Sequence, residues 1–245
     1  MQNRYLAAGA LVLPFTPFLY LQGQYTRYRV GRLPDAAGDP SGKIVRNGRE
    51  VRLLALGEST VAGVGVKTID DALGARFAFH LSELTDTSVE WHSAGVSGIT
   101  VRRTIEEVLP GLPDVPFDVI LIALGGNDVF ALNSPAVFRH DMKELIGRLR
   151  EANRGAEFFL ANVPMVRDAI ALPHPLKYVL AKLAKLQHFN TIDFVSGMDR
   201  VHYFDEVKRV DDEFFSDGIH PSKTGYDAWA REMAECFVRR SGFGA

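Results

Sequence analysis

"LLALGESTVAGVGVKT", residues Leu53 to Thr68, joins an apolar run to a glycine-rich turn and a Lys-Thr pair. Such a junction serves either as a phosphate cradle or as a strand-end turn that presents a serine nucleophile. A phosphate loop needs Gly-x-x-x-x-Gly-Lys-Ser/Thr, so that backbone N–H groups wrap the phosphates, and here Val66 stands before Lys67 where the glycine belongs. The dinucleotide signature Gly-x-Gly-x-x-Gly also fails, because Thr68 stands three residues after Gly65. The serine reading survives: Ser59 lies two residues past Gly57, the glycine that ends the apolar run.

Outward from this stretch the pattern alternates. Short apolar runs at 51–56, 89–94, 118–124, 157–163 and 200–204 are separated by helix-like stretches at 70–85, 100–109, 135–153, 175–189 and 222–240. Parallel strands need long crossover connections, so this alternation predicts a three-layer α/β domain, with reactive groups on loops beyond the carboxyl ends of the strands. In the longest connection Leu172, Leu176, Val179, Leu180, Leu183 and Leu186 recur at helical spacing. They read as a helix packing an apolar stripe on the sheet, the alternative being an acyl-binding lid over 167–190.

Composition bounds the function. The chain has 245 residues, enough for one catalytic-sized domain, and a formal net charge of −2 with 24% charged residues offers nothing to a polyanion, so no nucleic-acid partner is expected. Cys236 is the sole cysteine and sits in a helical pattern, which excludes a disulfide framework and a thiolate metal site. His80, His92, His140, His174, His188 and His202 lack metal-ligand spacing and read as surface or hydrogen-bonded core residues. No metal and no cofactor is expected.

The N-terminus differs from the rest. Residues 5–26, "YLAAGALVLPFTPFLYLQGQYT", carry no charge and approach a membrane-spanning length, although Pro14 and Pro17 weaken a straight helix. No small-x-small cleavage site follows, so the segment is expected to stay in the mature chain, either on a membrane or packed on the domain or a dimer partner. Arg4 precedes it, and Arg27, Arg29, Arg32, Lys43 and Arg46 follow, which places the body on the cytoplasmic side by the positive-inside rule. The expected organisation is a hydrophobic arm or anchor at 1–26, a Gly/Pro/Asp-rich linker at 27–48, and a catalytic domain at 49–245.

The other strand-end loops carry matching chemistry. "SAGVSGIT" offers Gly95, where a tight turn can aim a backbone N–H outwards; "GGND" offers the Asn127 amide; "SDGIHP" sets Asp217 three residues before His220. Singly, each is explained as a turn or a helix cap. Acyl transfer asks for this set of types together: a nucleophile, a base, a carboxylate to orient the base, and donors for the oxyanion. Asp128 reads as a structural partner for its turn or the following helix.

"LALGEST", "SAGVSG", "GGND" and "SDGIHPSKTGYDAWA" resemble the four sequence blocks of the SGNH hydrolases, the GDSL lipase and esterase family, over roughly Val51 to Val238. The resemblance implies a flavodoxin-like α/β/α fold with a five-stranded parallel sheet, and an acyl-ester hydrolase. It implies Ser59 as nucleophile, His220 as base and Asp217 as its orienting partner, with Ser59, Gly95 and Asn127 as oxyanion donors. Two positions depart from the pattern: Glu58 replaces the aspartate before the serine, and Ser93 replaces an asparagine in the second block. Neither is expected to touch a catalytic atom. The implied substrates are short-chain or lipid-like acyl esters; acetylated sugars, and acyl or glycan binding without turnover, stand as alternatives.

Overall fold

The strand Val119–Ala123 (VILIA) is buried at every position, as a parallel strand covered on both faces must be. It is β4 of a six-stranded sheet in the computed structural model, which describes residues 13–31, 33–163, 166–207 and 209–244. The other strands are β1 (Ser41–Ile44), β2 (Glu50–Gly57), β3 (Ser88–Gly95), β5 (Glu157–Leu160) and β6 (Val201–Tyr203). The order is β1-β3-β2-β4-β5-β6, and every pairing is parallel except β1 on β3.

The five parallel strands keep the expected flavodoxin-like order; the sixth corrects the expected strand count. Strand β1 lies inside the stretch expected to be a linker. Its sequence, SGKI, has no apolar run because it is an edge strand with alternating partial exposure. It is admitted by Gly42, which lies on the Trp91 ring so closely that a Cβ there would come within 2.8 Å of the indole carbons. The first four residues of 27–48 continue helix α1 (Thr16–Val30). Residues 1–12 of the expected arm lie outside the described residues.

Helices cover both faces of the sheet. On one face α2 (Leu73–Thr85) packs beside the C-terminal helix α7 (Lys223–Ser241). Phe77, Phe159 and Phe237 meet there with ring centroids 5.4 to 6.0 Å apart. Truncating one such buried ring to alanine typically costs about 3–5 kcal/mol. On the other face α5 (Pro135–Ala152) sets Phe138, Met142, Leu145 and Ile146 against Ile120, Ile122, Phe158 and Leu160. Ser134 caps α5 by accepting from Val137 N–H at 3.3 Å. The helix expected at 100–109 forms as one α-turn, α3 (Val101–Arg103), followed by a π-turn over Thr104–Val108.

The leucine-rich connection divides its packing. Helix α6 (Leu176–Val195) places Phe194 and Val195 in the sheet core. Its first turns, through Leu176, Leu180 and Leu183, join Leu172, Val129 and Leu19 of α1 in a separate apolar cluster beyond the strand ends. The stripe is therefore a packing face, but of this separate cluster and not of the sheet as expected; the helix reaches the sheet only through Phe194 and Val195, which lie beyond the stripe.

Candidate active site

Between β2 and β4 the direction of the connections reverses: the chain leaves β2 for β3, then crosses back over β2 to enter β4. The carboxyl ends of these two strands form the crevice where open α/β sheets bind ligands. Ser59 follows β2, and Gly125-Gly126-Asn127 follows β4, opening the short helix α4 (Gly126–Phe130).

The turn carrying Ser59 is held from its own backbone. Glu58 N–H donates to Ala123 O at 3.1 Å, Val61 and Ala62 N–H donate to Glu58 O at 2.9 and 3.1 Å, and Val64 N–H donates to Ser59 O at 2.9 Å. The glycines Gly63 and Gly65 have φ of 76° and 101°, open to glycine at no steric cost. At Gly65 a Cβ would lie 2.5 Å from Pro221 O and 2.6 Å from Ser216 Oγ. The glycine-rich turn is thus a surface against which the His220 loop packs, and this accounts for it without a phosphate. Tyr226 OH, donating to Val64 O at 2.7 Å from inside α7, fixes the same turn.

The loop bearing Asp217 and His220 is pinned at both ends. Ser216 N–H donates to His220 O at 2.8 Å and Ser222 N–H to Phe214 O at 2.7 Å, while the Ser222 hydroxyl caps α7. Within it His220 Nδ1 lies 2.8 Å from Asp217 Oδ2, and Asp217 Oδ1 accepts from Ile219 N–H at 2.9 Å and His220 N–H at 2.7 Å. Burial by itself would raise the Asp217 pKa; the hydrogen bonds from the His220 ring and from the two backbone N–H groups outweigh it and hold the carboxyl below its ordinary value.

Glu58 corrects the expectation that the departures leave the catalytic atoms untouched. Its carboxylate is buried and accepts from Gly126 N–H at 3.0 Å, from Asn127 N–H at 2.9 Å, and from the Asn127 side-chain amide itself. Burial raises its pKa to about 7, against the opposing pull of those donors. A carboxylate beside the serine was the available signal; its partners lie nearly seventy positions on, across the strand ends. Ser93 stays distant from this chemistry, buried under α2 with its Oγ in the space a Gly74 Cβ would need. Asp128 is the turn partner expected, accepting from Val101 N–H at 3.1 Å and from Asn133 Nδ2 at 2.7 Å.

Ser59, Asn127 and His220 line one cavity of about 270 Å³, with Phe130, Leu172, Phe214 and Trp229 among its apolar walls. Asp168, Glu206, Arg209 and Glu232 are among its charged lining residues. Gly95 is not among the lining residues. It ends β3 in register with Gly57, and a Cβ on it would lie 2.2 Å from Ala62 N, so it makes room for the turn after Ser59. A larger groove of about 690 Å³ runs past Leu109, Pro113 and Phe117 and holds none of the expected site residues.

Other histidines have structural partners. His80 meets Asp227 at 2.9 Å, His188 meets Tyr203 OH at 2.8 Å, and His202 meets Glu157 at 2.9 Å. Among the described residues one group, His140, Asp141 and Glu144, brings potential metal-ligand atoms within 4.8 Å of one another. Arg102 already places its guanidinium on both of those carboxylates. Cys236 is buried in α7, where burial pushes its thiol pKa up.

A family model described as "GDSL-like Lipase/Acylhydrolase family" matches residues 55–228. The GDSL-like esterase Rv1075c of Mycobacterium tuberculosis is 27% identical over 188 residues, 69% of this chain and 59% of that protein, so the chain spans somewhat over half the length of this relative. Among solved structures, the lipase Lip_vut3 from a goat rumen metagenome superposes with a TM-score of 0.58 at 18% identity, covering 79% of this chain and 98% of the other. A family two carbohydrate esterase from Clostridium thermocellum gives 0.58 at 18%, covering 84% and 67%. Phospholipase A1 from Streptomyces albidoflavus gives 0.54 at 15%, covering 76% and 98%. These structural likenesses establish the shared fold.

Proposed function

The chain belongs to the GDSL-like lipase/acylhydrolase family, and from that premise we propose that it is a serine esterase that hydrolyses carboxylic esters through an acyl-enzyme on Ser59. One observation carries the reading: the His220 imidazole, oriented through Nδ1 by Asp217 at 2.8 Å, shares a cavity with Ser59 and the Asn127 amide. Nε2 is then the nitrogen left for proton transfer.

In this mechanism Ser59 Oγ attacks the ester carbonyl while His220 Nε2 takes its proton. Asp217 accepts from Nδ1–H and stabilises the imidazolium. The carbonyl oxygen, now negative, is met by Ser59 N–H and the Asn127 side chain, both from residues that line the cavity. Of the two amide hydrogens of Asn127, one is committed to Glu58 and the second serves the oxyanion. His220 then protonates the leaving alcohol, and water repeats the sequence on the acyl group.

The cavity lies just under the roughly 300–1,000 Å³ usual for ligand pockets. Its volume of about 270 Å³ and its apolar walls favour a short acyl chain inside. A fluorophosphonate probe tests the nucleophile directly. It should label wild-type protein at Ser59 and leave folded Ser59→Ala unlabelled; a folded wild-type protein that stays unlabelled would instead favour acyl or glycan binding without turnover.

A further inference from the structure

Helix α1 presents two different faces. One is docked: Leu19 and Thr26 are buried, and the Gln22 side chain donates to His174 O at 2.7 Å and accepts from Leu176 N–H at 3.1 Å, tying α1 to the start of α6. Away from it, Phe18, Leu21, Tyr25 and Tyr28 recur at intervals of three, four and three residues, a spacing that makes one helical stripe. They are 54%, 64%, 59% and 86% exposed. Leu13 and Phe15, just before the helix, are 70% and 63% exposed.

We propose that this stripe docks α1 onto the surface of an anionic lipid bilayer. Charge selects that occupant. Asp35 is the first carboxylate side chain of the sequence, whereas Arg4, Arg27, Arg29 and Arg32 precede it, so this segment carries only positive side-chain charge. An anionic headgroup layer complements it. Two copies meeting through the stripe would bring together the exposed Arg29 of each, one turn beyond Tyr25, with no carboxylate on either α1 to offset them. Phenylalanine and leucine supply the apolar depth, and tyrosine, with an apolar ring and a polar tip, suits the headgroup boundary.

The helix lies on the bilayer and does not cross it. One face is committed to protein through Leu19, Gln22 and Thr26, and no described helix is long and apolar enough to span a membrane. Docking would also bring the candidate site to the interface. Leu19 shares an apolar cluster with Val166, Ala169 and Leu172, and these three line the cavity that holds Ser59.

The test is flotation of the full chain with phosphatidylcholine vesicles made with and without phosphatidylglycerol, read as bound fraction, so its outcome is independent of any esterase activity. Wild-type protein should float with the phosphatidylglycerol vesicles, less so at high salt. A variant with Phe18, Leu21, Tyr25 and Tyr28 all changed to Ser should lose at least about tenfold in partitioning, with thermal unfolding confirming its fold. If that variant does not fold, Arg29→Glu provides the second arm and should weaken binding at low salt. Wild-type protein that floats with no vesicle, or a folded serine variant that binds as well as wild type, overturns the proposal. So does a wild-type dimer that the serine variant converts to monomer without any vesicle binding, which would assign the stripe to a second copy.

Discussion

Glu58 holds three donors of the Gly126-Asn127 turn with one buried carboxylate, and its longer side chain, in place of the family's aspartate, reaches across from β2 to the end of β4. Its pKa stands near 7 where an ordinary glutamate titrates near 4.5. Between those values the folded state keeps a proton that the unfolded chain has lost, so Glu58 makes stability fall as pH rises through this window and levels off above it. The loss amounts to about 3 kcal/mol in full. The unfolding free energy of Glu58→Gln lacks this contribution. Measured against wild type by denaturant unfolding between about pH 5 and pH 8, the difference should shift in the variant's favour as pH rises; a constant difference would show that Glu58 does not titrate there. Asn127→Ala removes the side-chain oxyanion donor and should cut kcat by about 10²–10³ while the protein stays folded. Near-normal turnover in the variant would remove Asn127 from that role. Ser59, Asp217 and His220 were readable as candidates because their signals are local, a serine after a strand-ending glycine and an Asp-x-x-His spacing. The grip of Glu58 on Asn127 joins residues far apart in sequence, and no local spacing records such a contact.

At the scale of elements, the Ser59 turn and the His220 loop touch through backbone. Gly65→Ala would have to push Pro221 O or Ser216 Oγ aside and would also strain a φ of 101°. Overpacking of this kind costs about 1–3 kcal/mol, and here it falls between nucleophile and base. The variant should lower the melting temperature and lower kcat more than it raises KM; an unchanged kcat in a destabilised protein would mean that the two loops are not held in register through this contact. The elements legible from sequence were those with strong periodicity or full burial. Strand β1 was not, because Ser41–Ile44 is half exposed and its pairing depends on Gly42 lying on Trp91. The expected 100–109 helix lost its uniformity to a π-turn at Thr104–Val108 that the apolar spacing does not reveal.

For the whole molecule, topology does the assembling: it brings the ends of β2 and β4 side by side, and α7 anchors the histidine loop over them. Strand and helix alternation made the layered architecture legible, since parallel strands demand long crossovers. It did not show that α1 and the 166–172 segment meet in one apolar cluster beside the site, because neither carries a periodic signal that specifies the other. The cavity volume of about 270 Å³ predicts a preference among acyl groups, with rates highest for short chains and falling toward palmitoyl. The measurement that bears most directly on the account is hydrolysis of p-nitrophenyl esters from acetyl to palmitoyl by the purified full chain, with Ser59→Ala run beside it. Ester hydrolysis that is strongest for the short chains and vanishes in a folded Ser59→Ala protein is the predicted result. Hydrolysis that persists in the Ser59→Ala protein at the wild-type rate would contradict it.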